Sequence, residues 1–227
     1  MVLPRFPPVP GMAVLCLFLL AFLLSCGCTQ SDDIRSLQAA EVREYQGEKL
    51  GSVGDFRENS LRGPQQVNLT EYRLVIDGLV REPKSYTYDQ VITGFPAYRK
   101  VVTILCVEGW EVKILWEGIL LSDLIGSAGA DPAANTVIFT AADGYTSSLP
   151  LEYLVENDIL LAYRMNNVTL PAERGSPFQV VAEDRWGYKW VKWVTGITLS
   201  RDPTYRGYWE SRGFSQGGER NQSFLGR

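Results

Sequence analysis

Short apolar runs broken by glycine-bearing turns predict an α+β domain of mixed β-sheets and short helices in this 227-residue chain. The helical patterns are brief and stop at nearby glycines, so helices decorate sheets rather than form bundles. No internal repeat, heptad pattern or low-complexity run competes with that reading. With 45% hydrophobic residues, the length suits one globular domain plus extensions.

The chain begins with one basic residue, Arg5, and an uncharged run from Phe6 to Thr29. Its densest part, 13–24, is short for a membrane span and suits the apolar region of a signal peptide. Leu23-Leu24-Ser25-Cys26 closes it like a lipobox. Residues 1–25 are therefore expected as a signal peptide, with Cys26 the lipidated first residue of the mature chain. An uncleaved anchor, with Cys26 and Cys28 incidental, is the competing reading. Both place the domain on the outer face of the cytoplasmic membrane. No Arg-Arg pair precedes the run, so twin-arginine export is not indicated. Residues 26–58 are polar and glycine-dotted, read as a tether with a short helix near 34–44.

The folded domain is expected over 59–227. A strand falls in 72–80, and Thr87 caps a short helix over 87–92. A second strand covers 101–107. Another helix starts at Ser122 and stops at Gly126 or Gly129. Residues 136–140 are strand-like, and Pro150 opens a helix through 157. Further strands are expected at 159–163, 178–182 and 191–199.

Charge and composition exclude several classes. The chain has 22 Lys+Arg against 26 Asp+Glu with no block of like charge, so the basic stripe of a nucleic-acid binder is missing. It has no histidine, which removes Ser-His-Asp and Cys-His catalysis, histidine zinc sites and histidine-ligated haem. An enzyme built from this chain must work through a cofactor or through carboxylates, tyrosines and lysines.

Cys106 ends the β-branched run Thr103-Ile104-Leu105 just before Gly109, where a strand gives way to a loop. It is the only cysteine beyond residue 28, so no disulfide can form inside the domain. Core filler, reactive thiol and metal ligand remain open.

The string Cys106-Val107-Glu108-Gly109-Trp110, followed by Trp116-Glu117-Gly118-Ile119-Leu120-Leu121, resembles the molybdenum-binding segment of the sulfite oxidase superfamily. The nearer branch is that of the bacterial periplasmic protein-methionine-sulfoxide reductase catalytic subunit. The resemblance continues through 143–151, 170–177 and 186–194, in the same order, within a stretch of about 59–212. It implies a sulfite-oxidase-type molybdopterin-binding fold and a molybdenum–molybdopterin cofactor, with or without a nucleotide extension. Cys106 would be the protein thiolate on the metal, as soft sulfur donors suit molybdenum.

Other site residues follow from the same resemblance. Arg185-Trp186-Gly187-Tyr188-Lys189-Trp190-Val191-Lys192-Trp193 concentrates cations and tryptophans, with Arg174 upstream. Arg185, Lys189, Lys192 and Arg174 are candidates for a pterin phosphate, and Gly187 for close backbone approach. The alternative is an amphipathic strand with its lysines in water. Asn59 and Ser60 match a segment lying over the pterin in relatives, and Glu108 flanks the thiolate. Tyr145 and Asp143 sit on the turn Asp143-Gly144-Tyr145, suited to substrate contact or to an ordinary β-turn.

The resulting expectation is an exported, lipid-anchored oxidoreductase that transfers an oxygen atom. No haem or flavin motif is present, so a separate membrane or extracytoplasmic protein would exchange the electrons. Animal-type sulfite oxidases place arginines shortly after the cysteine; here Gly109-Trp110-Glu111 stands instead. That argues for a neutral small-molecule or protein-bound S- or N-oxide over sulfite. The chain ends without the extra dimerisation domain of sulfite oxidases, which implies a monomer. The competing function is a non-catalytic surface lipoprotein that uses the same fold to bind a ligand or partner.

Overall fold

The computed structural model describes residues 29–226. The expected signal peptide, lipobox and Cys26 lie outside these residues. In chain order the elements are α1 (Thr29–Ala40), β1 (Glu44–Tyr45), β2 (Glu48–Lys49), β3 (Leu74–Gly78), β4 (Lys84–Tyr86), α2 (Tyr88–Gly94), β5 (Tyr98–Leu105) and β6 (Glu111–Leu120). They continue with α3 (Leu121–Ala128), β7 (Thr136–Ala141), β8 (Thr146–Pro150), α4 (Leu151–Glu156), β9 (Leu160–Met165), β10 (Val168–Thr169), β11 (Gln179–Val181) and β12 (Val194–Ser200). This is the expected α+β class.

Two five-stranded sheets carry the domain. One runs β10-β9-β6-β5, with β11 also paired to β9; the other runs β4-β3-β12-β7-β8. All their ladders are antiparallel except β3 with β12. One buried cluster, including Ile114 and Trp116 from β6 and Ile76, Phe139 and Ile197 from the second sheet, joins them. β3 alternates buried and exposed residues, as a strand with one solvated face should.

Local chemistry explains the element ends. Thr87 and Gln90 form a reciprocal capping box on α2. Gly129, at φ +68, closes α3 in the left-handed conformation. The ten-residue β6 was not among the expected elements. Its first half alternates, but its second half is buried on both faces and carries Gly118, so the period is lost. Gly118 is required there: a Cβ would lie 2.4 Å from the Leu161 carbonyl oxygen on β9.

The tether expectation fails over 41–58. Glu41 is buried, and its carboxylate accepts hydrogen bonds from Ser52 Oγ at 2.5 Å, Val53 N at 2.9 Å and Asn166 Nδ2 at 2.9 Å. Leu50 and Val53 are buried as well. Sparse apolar residues hid this segment, because its anchor is a carboxylate satisfied by donors distant in sequence.

Candidate active site

The turn Cys106–Trp110 between β5 and β6 builds the floor of the site. Cys106 N donates to Trp110 O at 2.9 Å, and Gly109 N donates to Cys106 O at 3.0 Å. Gly109 has φ +83, a conformation that favours glycine. The thiol is buried, and the backbone N–H donors of Val107 and Glu108 favour its ionised form. Burial pushes its pKa up, while those donors and Arg57 pull it down and Glu108 opposes them. Among the described residues no group of three His, Cys, Asp or Glu could hold a metal, so a metal here would depend on one thiolate and external ligands.

A cavity of about 250 Å³ opens above the thiol. Its walls come from the segment 56–61, the β7–β8 turn, the stretches 173–174 and 187–193, and the C-terminal Trp209 and Phe214. Leu105 bridges to Trp186, which sets Gly187 against the cysteine turn. A Cβ on Gly187 would sit 3.3 Å from Leu105 O and 3.5 Å from Cys106 Cα. A side chain there would press the cysteine turn back by a few tenths of an ångström.

The structure gathers Asn59, Ser60, Cys106, Glu108, Asp143, Tyr145, Arg174, Gly187 and Lys192 around this cavity. Their engagements differ. Glu108 accepts from Asn59 Nδ2 at 3.3 Å and from Trp110 Nε1 at 3.1 Å, clasping the upstream segment to the floor. Asp143 accepts from Tyr145 N at 2.9 Å and Leu61 N at 3.2 Å, so its carboxylate organises two loops. Tyr145 donates its hydroxyl to Tyr188 O at 2.5 Å, and burial pushes its pKa well up. Its phenol therefore stays protonated at the cavity wall. Arg174 donates to Val53 O and Phe56 O at 3.0 and 3.3 Å. Ser60 Oγ is buried without a hydrogen-bond partner.

Two expected cavity cations are elsewhere. Lys189 is fully buried 2.5 Å from Glu210, and also donates to Ser148 O at 2.8 Å. Arg185 pairs with Glu219 and lies over the Tyr153 ring. Both belong to the clamp that joins the 185–189 turn to the C-terminal segment. In a sequence window, cations facing a cavity and cations facing a buried carboxylate look alike. Arg57, by contrast, lines the cavity and was missed. Its only sequence signal was position, two residues before Asn59.

Comparisons with known proteins identify the family of the chain. Residues 61–209 match the oxidoreductase molybdopterin binding domain family. The chain is 32% identical over 164 residues to the uncharacterized oxidoreductase YuiH of Bacillus subtilis, an alignment covering 71% of this chain and 82% of that protein. It is 30% identical to the protein-methionine-sulfoxide reductase catalytic subunit MsrP of Gluconobacter oxydans, over 56% of this chain and 46% of the relative. The crystal structure of the sulfane dehydrogenase SoxCD from Paracoccus pantotrophus is similar with a TM-score of 0.63 at 25% identity, over 70% of this chain and 44% of that one. The chain thus spans less than half the length of the last two relatives. With the family match spanning most of the folded region, the chain belongs to the oxidoreductase molybdopterin-binding domain family and is a molybdopterin-dependent oxidoreductase of the sulfite-oxidase type.

Proposed function

We propose that the cavity holds a molybdenum–molybdopterin cofactor with Cys106 as the protein ligand, and that the enzyme reduces a neutral S- or N-oxide. The observation that carries this reading is the buried Cys106 thiol at the cavity floor, the single free cysteine among the described residues. The residues fit such a group. Gly187 brings its backbone to the cavity wall close against the cysteine turn, Ser60 Oγ offers an unused buried donor, and Lys192 brings a cation to the wall. When bound, the cofactor would supply two-electron oxygen-atom transfer.

This chain's own residues then position and exclude. Asn59 and Glu108 hold the upstream segment against the cysteine turn, and Arg174 fixes the backbone of Val53 and Phe56 behind it. Eight lining side chains are aromatic, among them Trp110, Tyr188 and Trp190, which keeps water sparse around a bound substrate. Tyr145 lines the cavity, keeps its proton and holds its hydroxyl on the Tyr188 carbonyl.

Substrate charge can be argued from the walls. The lining holds the cations Arg57, Arg174 and Lys192 against the carboxylates Glu108, Asp143 and Glu173. A formally balanced site does not favour a dianion, which supports a neutral oxide. Arg57 favours a second reading, oxidation of an anionic sulfur compound, because it is an exposed cation in the wall that acts electrostatically on the thiol. Steady-state turnover separates the two: sulfoxide with reduced viologen is expected to exceed sulfite with ferricyanide in kcat/KM on one molybdenum-loaded sample. Faster sulfite turnover would overturn the neutral-oxide reading and make Arg57 the anion partner.

The same reading places the domain outside the cytoplasmic membrane, anchored by lipid on Cys26 and served by a separate electron-transfer protein. The apolar run ending in Leu23-Leu24-Ser25-Cys26 supports it, and no helix among the described residues is long and apolar enough to cross a membrane. Mass spectrometry of membrane-derived protein should show a lipidated N-terminal Cys26; an intact Met1 terminus would sink the anchor.

A further inference from the structure

We propose that the C-terminal loop 209–214 is the substrate-selecting lip of the cavity, and that Trp209 and Phe214 give it a preference for S-oxides bearing a large apolar substituent. The proposal rests on the S-oxide reading above and narrows it to one class of substituent.

The walls divide by their place in the chain. The charged lining residues Arg57, Glu108, Asp143, Glu173, Arg174 and Lys192 all precede residue 193. The C-terminal segment adds two side chains to the lining, Trp209 and Phe214, and both are aromatic. An anionic cofactor group is drawn to the charged walls, which leaves this face for an uncharged ligand. Phe214 also lies beyond the family match, which ends at residue 209. A wall built from outside the shared domain can set substrate preference without disturbing the cofactor site.

The loop is held rigidly. Glu210 is pinned by the fully buried Lys189 at 2.5 Å. Phe214 N donates to Trp209 O at 3.1 Å, and Gly213 N donates to Glu210 O at 3.3 Å. The chain end closes behind it: Ser215 N donates to Phe224 O and Gly226 N to Gly213 O, both at 2.8 Å. The Phe214 ring centroid lies 4.9 Å from that of Trp209, 5.2 Å from Tyr188 and 5.6 Å from Phe224. Side chains braced in this way recognise a ligand at little ordering cost.

Trp209 and Phe214 are nevertheless only half-buried, so apolar ring surface stays uncovered where they line the cavity. A phenyl group on the substrate sulfur would cover it and add ring contact, whereas the methyl groups of dimethyl sulfoxide cover far less. The lip thus reads the substituent and not the oxygen that is transferred.

The test compares methyl phenyl sulfoxide with dimethyl sulfoxide on molybdenum-loaded protein, using reduced viologen. The ratio of their kcat/KM values should fall about tenfold in Phe214→Ala. Phe214→Leu, which keeps apolar volume and bracing but loses the ring, should fall between and covers the case of an unfolded alanine variant. Methyl phenyl sulfone, titrated into the loaded protein and followed by tryptophan fluorescence, reads binding without turnover and should bind about tenfold more weakly to Phe214→Ala. An unchanged ratio and unchanged sulfone affinity in both variants overturn the lip. Parallel loss of pterin content and of both activities assigns the rings to the cofactor and overturns it equally. If neither sulfoxide is reduced but sulfone binding weakens as expected, the reaction assigned above is wrong and the lip stands.

Discussion

Cys106→Ser is expected to lower turnover more than a hundredfold while leaving the fold intact. Partners that only orient a metal ligand are worth about 10–100-fold when removed, so Cys106, in its proposed role as the ligand itself, must count for more. A serine oxygen is a harder donor than a thiolate and ionises far less readily, so it cannot replace the sulfur. The fold should hardly notice. Cys106 N and O bond within the turn, to Trp110 and from Gly109, and both bonds survive the substitution. Unfolding by urea should shift by no more than about 1 kcal/mol. Native protein, expressed where pterin is made, should carry molybdenum and pterin in about equal amounts. Full activity in the serine variant, or zinc in place of molybdenum in the native protein, would remove Cys106 from the metal.

How far these residues were legible from sequence depends on the range of their contacts. Elements set by local chemistry stood out. Thr87 with Gln90 caps α2 reciprocally, Gly129 ends α3, and β3 alternates along its length. β6 did not stand out, because its second half is buried on both faces and interrupted by a glycine that makes room for β9. The turn around Cys106 was found through a resemblance, since spacing alone could not separate a ligand from a core thiol. The cations show the limit most clearly. Lys189 and Lys192 stand three residues apart in one basic, tryptophan-rich string, yet one faces the buried Glu210 and the other the cavity wall. Nothing local distinguishes them. Their partners, Glu210 and Glu58, come from opposite ends of the domain and are visible only once the chain is folded.

Lys189→Met is therefore expected to destabilise the domain by about 3–5 kcal/mol, a structural rather than a catalytic loss. Lys189 and Glu210 both have side-chain exposures of 0%, and their nearest charged atoms are 2.5 Å apart. Burial pulls the lysine pKa down, with the glutamate opposing. Removing the ammonium strands a carboxylate whose Oε2 already lacks a hydrogen-bond partner and whose remaining donor is Ser147 Oγ at 2.6 Å. It also leaves Ser148 O without the 2.8 Å bond from Nζ. Neutralising both ends should recover much of the loss, because replacing a buried pair by uncharged groups is often nearly neutral. Lys189→Met combined with Glu210→Gln keeps an acceptor for Ser147 and should recover at least half of it by urea denaturation. The effect should also reach the site, since Lys189 ends the Gly187–Lys189 turn that packs on Cys106. A single variant within about 1 kcal/mol of the native chain would show that the charges are not buried as a pair. A double variant no better than the single would mean that the lost bond to Ser148, not the stranded carboxylate, sets the cost.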